Sequence, residues 1–170
     1  MKRIMIIGCG GTGKSTLSKR LYLLANIPVY HLDQYFWLPN WTEIDRTKWE
    51  QVNRKIIQNE FWIMDGNYGS TMEMRLEAAD TVIFLNRPWY VSLSRVIMRT
   101  LKSYGKTRAD MTENCPERFS GQFLHYIMMY NKTRRPSILK KLAALPKDRT
   151  VHILKTDKEV EKFISRLQFA

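Results

Sequence analysis

Near the start of the chain, Gly8-Cys9-Gly10-Gly11-Thr12-Gly13-Lys14-Ser15 reads G-x-x-x-x-G-K-S. That spacing suits a loop that wraps an anion. Glycines allow successive backbone N–H groups to turn inward around a phosphate. A helix starting where the loop ends adds unpaired N–H groups and partial positive charge. Lys14 is placed to reach the β- and γ-phosphates of a nucleoside triphosphate, and the Ser15 hydroxyl to ligate Mg²⁺. ATP and Mg²⁺ are the implied cofactors. Gly8, Gly10, Gly11, Thr12, Gly13, Lys14, Ser15 and Thr16 are the candidate contacts.

The flanking residues supply the elements such a loop needs. Arg3 to Ile7 is a short apolar run suited to a buried strand. After the loop, Leu17, Leu21 and Leu24 recur at helical spacing.

Two carboxylates come next. Residues 27 to 33 read as a second strand ending in Asp33, and Phe61 to Asp65 as a third ending in Asp65. Strand carboxyl ends are where open α/β sheets bind ligands. Asp33 is therefore a candidate for metal or acceptor, and Asp65 for acceptor. The turn Gly66-Asn67 follows Asp65 at the same edge. His31 reads as a buried, hydrogen-bonded histidine. Between these strands, residues 34 to 41 carry Tyr35, Phe36, Trp37 and Trp41 around Pro39, with no regular element expected. They serve either as a hydrophobic flap or, through Phe36 and Trp37, as an apolar wall for a flat acceptor. Asp45 reads as the cap of a helix over residues 46 to 59. Ser70 with Glu73 reads as a capping box for a short helix whose Arg75 faces an acceptor or solvent.

Residues 80 to 85 read as the fourth strand. The helix after Pro88 has an apolar stripe and a basic one, Arg95, Arg99 and Lys102. Residues 103 to 118 have no periodicity and contain Arg108 and Arg118, which suits a lid closing over a triphosphate. A helix through Phe123 and Tyr130 follows, Pro136 restarts another, and residues 150 to 154 are the last strand, with Asp157 capping a final helix. Five strands alternating with helices imply a parallel sheet covered on both faces, an α/β fold.

Composition sets bounds. The chain has 170 residues and a net charge of +12, from 28 Lys and Arg against 16 Asp and Glu. That balance fits a polyanionic partner, nucleotide or nucleic acid. Cys9 and Cys115 stand in no metal-ligand spacing, and no apolar run approaches a membrane span. The expectation is a cytoplasmic protein with free thiols, no signal peptide and no membrane partner, either monomer or homodimer.

The phosphate loop, His31-Leu32-Asp33 with Phe36-Trp37, Asp65-Gly66-Asn67-Tyr68, Ala79 to Leu85 and Arg134-Arg135-Pro136 together resemble the bacterial DNA topology modulation proteins. These are similar in turn to adenylate kinase and shikimate kinase. The resemblance covers nearly the whole chain. It implies a three-layer P-loop NTPase fold with a five-stranded parallel sheet in order 2-3-1-4-5. It also implies an acceptor insert at about 34–60 and an arginine-bearing lid at about 103–118, all in one domain over 1–170. On this resemblance Arg134 and Arg135 are nucleotide contacts; read from the residues themselves, Lys14, Asp33, Arg99 of the basic stripe and Arg108 of the lid segment are the candidate catalytic groups. Asp65-Gly66 matches the start of the adenylate kinase acceptor motif, but Asn67-Tyr68 replaces its Phe-Pro-Arg, and Asn86 stands where the family often has Asp.

Two functions follow as expectations. One is Mg-dependent phosphoryl transfer from ATP to an unidentified small molecule or nucleotide. The other is a nucleic-acid-associated protein with a regulatory ATP site. No DNA-reading element is evident, so nucleic-acid binding is expected to be weak and non-specific.

Overall fold

The computed structural model describes residues 1–167; the last part of the 1–170 domain expectation lies outside the described residues. Strand β1 (Arg3–Gly8) runs into the glycine loop, and helix α1 (Lys14–Ala25) leaves it. Then come β2 (Val29–His31), α2 (Leu32–Phe36), a hairpin of β3 (Trp37–Leu38) and β4 (Thr42–Glu43), and α3 (Arg46–Ile57). Next are β5 (Trp62–Asp65), α4 (Met72–Ala78), β6 (Thr81–Leu85) and α5 (Trp89–Ser103). The chain continues through α6 (Gly121–Thr133), α7 (Arg135–Ala143), β7 (Thr150–Leu154) and α8 (Asp157–Ser165).

Five of these strands form one parallel sheet in the order β2-β5-β1-β6-β7. With the hairpin strands β3 and β4 set aside, this is the expected order 2-3-1-4-5. Alternation along β1 shows why both faces are covered. Ile4 and Ile6 join a cluster with Leu17 and Leu21 of α1 and Val160 and Phe163 of α8. Met5 and Ile7 point the other way, into a cluster with Trp49, Leu76, Val96, Ile127 and Ile138 from α3 to α7. The sheet is thus clamped between two helical layers, and its carboxyl edge is left for the loops.

Four local expectations are corrected. Residues 34 to 41 are not irregular: α2 begins directly after His31, and the hairpin pairs Trp37 with Glu43 and Leu38 with Thr42. The reversal is made by a 3₁₀ turn, Pro39–Trp41, in which Asn40 and Trp41 have φ of 62° and 61°. Asp33 consequently lies in the first turn of a helix rather than at a strand end. The capping box at Ser70 and Glu73 does not form, because a 3₁₀ turn precedes α4 and Glu73 pairs with Lys141. Thr156, not Asp157, caps α8 by accepting from Glu159 N. Asp45 does cap α3, accepting from Thr47 N and Lys48 N.

Candidate functional site

At the carboxyl edge of the sheet lies a cleft of about 420 Å³ lined by the glycine loop, Asp33, Asp65 and three arginines. A larger depression of about 540 Å³ lies at the opposite end of the strands, lined by groups such as Pro28, Glu60 and Phe61 and by no lysine or arginine. Only the first holds the charges that phosphate chemistry needs.

The loop has the shape its sequence suggests. Gly11 and Gly13 have φ of 77° and 97°, the left-handed region that glycine enters without penalty. A side chain on Gly11 would also collide with the Ser92 carbonyl, because the first turn of α5 packs directly on the loop. Gly10, Gly11, Gly13, Lys14, Ser15 and Thr16 line the cleft. Lys14 Nζ rests 3.0 Å from the Cys9 carbonyl, folded back across the loop. Gly8 and Thr12 do not line it. Thr12 is buried and donates its hydroxyl to Cys9 O at 2.8 Å, so it braces the loop from behind. Cys9 is buried among these groups, and burial pushes its thiol up to about 11.

The carboxylates stand on the other wall. Asp65 Oδ2 accepts from Ser18 Oγ at 2.6 Å and sits 2.7 Å from His31 Nδ1. One oxygen thereby ties the ends of β2 and β5 to α1, the helix that carries Lys14. Burial pushes the His31 pKa down, but the hydrogen bond and charge of Asp65 outweigh it, and the net shift is upward. Asp33 accepts from the Tyr68 hydroxyl at 2.5 Å. Its pKa is raised because burial outweighs the Tyr68 hydrogen bond and the Lys14 charge. A carboxylate raised in this way is suited to take a proton from a hydroxyl.

The cations come from α5 and the following segment. Arg95, Arg99 and Arg108 line the cleft, as does Lys19, which the sequence reading did not single out. Glu117, also missed, is buried and organises two of them. Its Oε1 lies 2.9 Å from Arg99 Nε and 2.8 Å from Arg108 Nε, and its Oε2 accepts from Thr100 Oγ1 at 3.1 Å. Both Nε contacts are out of line for hydrogen bonding, so they hold by charge. Arg95 is tied to Asp157 at 2.6 Å, which also binds the buried Arg87 at 2.7 Å.

Several expected contacts lie elsewhere. Arg75 is fully buried, and its guanidinium donates to the Thr71, Gly66 and Tyr68 carbonyls, so it faces neither acceptor nor solvent. Phe36 packs on Trp49 and Tyr68, and Trp37 edge-on against Phe36 and Trp41, which makes them a hydrophobic cluster behind the cleft. Asn67 donates to the hydroxyls of Tyr126 and Tyr130, and Gly66 is buried beneath Leu32. Arg134 and Arg135 sit at the α6–α7 junction, outside the lining of the cleft. Arg118 lies over the Trp41 ring at 5.5 Å instead of over the loop.

The donor set fits Mg²⁺. Among the described residues no three His, Cys, Asp or Glu side chains converge to chelate a metal unaided. What lines the cleft is a hydroxyl, Ser15, and carboxylates at Asp33, Asp65 and Asp110. Mg²⁺ typically binds one or two carboxylates and completes its shell with water and substrate phosphates.

Comparison with known proteins supports the fold. No family model matches the chain. The Bacillus subtilis (strain 168) protein named uncharacterized protein YqaC is 32% identical over 109 residues, spanning 61% of this chain and 60% of that protein. The match thus spans less than two thirds of that relative's length. A shikimate kinase from Acinetobacter baumannii in complex with shikimate superposes with a TM-score of 0.62, at 15% identity over 98% of this chain and 90% of that one. A deoxyadenosine kinase from M. mycoides with bound dATP gives 0.55, at 15% identity over 98% of each chain. A shikimate kinase from Bacteroides thetaiotaomicron gives 0.58, at 20% identity over 98% and 96%. The chain has the P-loop kinase fold. None of these proteins carries the DNA topology modulation name. Among the described residues no helix is long and apolar enough to cross a membrane.

Proposed function

We propose that this protein is an ATP-dependent kinase that phosphorylates a small acceptor. The observation that carries the reading is the placement of a complete phosphate loop, three arginines and the carboxylates of Asp33 and Asp65 around one cleft. The loop amides and Lys14 hold the β- and γ-phosphates. Ser15 and Asp33 would hold Mg²⁺, which would supply positive charge to offset that of the transferring group. Arg99 and Arg108, held by Glu117, face the same phosphates. Asp33 takes the proton from the acceptor hydroxyl as that oxygen bonds the γ-phosphorus, while the bond to the β–γ bridging oxygen breaks and ADP leaves. Phosphoryl transfer is chiefly positioning and electrostatic stabilisation, so this set of parts suffices.

That Arg95, Arg99 and Arg108 line the cleft favours a nucleotide over a duplex as the polyanion they meet. With Arg75 committed to backbone carbonyls, the acceptor end also lacks the guanidinium that the sequence offered for an acceptor phosphate.

The test has two parts. Calorimetry with MgATP compares wild type with Lys14→Ala, which should bind about 10- to 100-fold more weakly, the worth of a hydrogen bond to a charged group. A panel of nucleosides, nucleotides and small polyols is then screened for acceptor-dependent ADP release. Equal affinity in the two proteins would overturn the nucleotide site.

A further inference from the structure

We infer that Asp110 is a carboxylate of the divalent-cation site, brought to the phosphate loop from the segment between α5 and α6. This deepens the nucleotide reading above and rests on it.

Asp110 is buried, at 8% exposure, yet lines the same cleft as Lys14, Ser15 and Asp33. Arg108 Nη1 holds its Oδ2 at 3.0 Å. Burial pushes its pKa up, but the Arg108 charge and the Ser15 hydroxyl outweigh this, and the net shift is downward. Its position is fixed by the backbone on both sides. Gln34 Nε2 donates to Ala109 O at 2.7 Å, and Thr112 Oγ1 reaches Gln34 O and Trp37 O at 2.7 and 2.6 Å. The carboxylate is thereby anchored to the α2–hairpin insert and lines the cleft together with Ser15.

A fixed carboxylate beside a phosphate cradle repels a bare triphosphate, the more so away from bulk water. A divalent cation between the two reverses the sign of that interaction. Ser15 is the residue whose hydroxyl the loop offers to Mg²⁺, and Asp110 is a buried carboxylate lining the same cleft. Mg²⁺ needs oxygen ligands and accepts one or two carboxylates alongside phosphates and water. Asp110 therefore penalises metal-free ATP and favours MgATP.

The alternative is that Asp110 is only a counter-ion of Arg108, and binding measurements separate the two. The full-length protein is titrated with ATP in excess EDTA and with MgATP, as wild type, Asp110→Asn and Arg108→Gln. Removing the carboxylate should tighten metal-free ATP and weaken MgATP, so that the ratio of the two Kd values falls about tenfold or more, the scale of close charge coupling. Arg108→Gln breaks the same ion pair but keeps the carboxylate, and should weaken both forms together with the ratio retained. A ratio unchanged in Asp110→Asn, or lost equally in Arg108→Gln, overturns the proposal while leaving the nucleotide site standing. Failure of wild type to bind either form of ATP would instead remove the nucleotide reading, and this proposal with it.

Discussion

The Tyr68 hydroxyl donates to Asp33 Oδ1 at 2.5 Å, joining the turn after β5 to the first turn of α2. This bond is the main side-chain influence holding the Asp33 pKa down against burial. Tyr68→Phe should therefore raise the Asp33 pKa further. If Asp33 is the base, the acidic limb of the pH–rate profile moves to higher pH in the variant, with the plateau rate preserved. Unfolding stability should fall by about 1.5–3 kcal/mol, the worth of a hydrogen bond to a charged group. An unmoved limb on an identified acceptor would remove Asp33 from the proton transfer.

The His31–Asp65 pair makes stability depend on pH. The folded pKa of His31 is raised above its ordinary 6.5. The unfolded chain therefore loses its proton first as pH rises. The pair's stabilisation is fully present below 6.5 and is lost as pH climbs through the raised folded value. Denaturant midpoints should fall between mildly acidic and mildly alkaline pH in wild type, and the slope should flatten in His31→Asn. Parallel slopes would mean that His31 is neutral when folded.

What was legible in the sequence depended on how local the signal was. The phosphate loop and its flanking strand and helix are contiguous, so the motif and the 3.6-residue stripe of Leu17 and Leu21 located them directly. Asp33 was singled out as a carboxylate at the ligand-bearing edge even though the element was misread, because α2 begins one residue before it. Arg75 was misassigned for a physical reason. An arginine on a short helix looks solvated, and only tertiary structure reveals three backbone carbonyls around it. Asp110 and Glu117 lie in an aperiodic stretch, and neither has meaning until Ser15, Arg99 and Arg108 are brought beside them. No pattern in the chain signals that meeting.

Glu117 offers a test of arginine positioning. Glu117→Gln removes the charge that holds Arg99 and Arg108 while preserving shape. Breaking a buried pair costs roughly 3–5 kcal/mol, but both arginines are partly solvated, which places the expected loss nearer 1–3 kcal/mol. If pre-positioning is the role of Glu117, kcat falls more than MgATP affinity, because two guanidinium groups remain to attract phosphate but no longer sit where charge develops. Loss of affinity with kcat intact would assign Glu117 to folding of the segment alone.

The segment after α5 and the insert after β2 should behave as one unit. Asn40 N donates to Asn114 O at 3.0 Å, Trp41 Nε1 to Pro116 O at 3.1 Å and Cys115 Sγ to Leu38 O at 3.3 Å. Thr112 adds its bonds to Gln34 and Trp37. Within the segment, Gly105 N donates to Glu117 O and Glu117 N to Lys106 O. These ties cross between two stretches about 75 residues apart in the chain, so opening one must break contacts to the other. In hydrogen exchange, amides of residues 37–44 and 104–117 should share one opening free energy, and an ATP analogue with Mg²⁺ should raise protection in both together. Thr112→Val, which removes the hydroxyl but keeps the shape, should lower protection in both stretches by a similar factor while leaving β6 unchanged. If the variant loosened residues 104–117 and left 37–44 protected, the two would open independently, and closure over a triphosphate would not carry the insert with it.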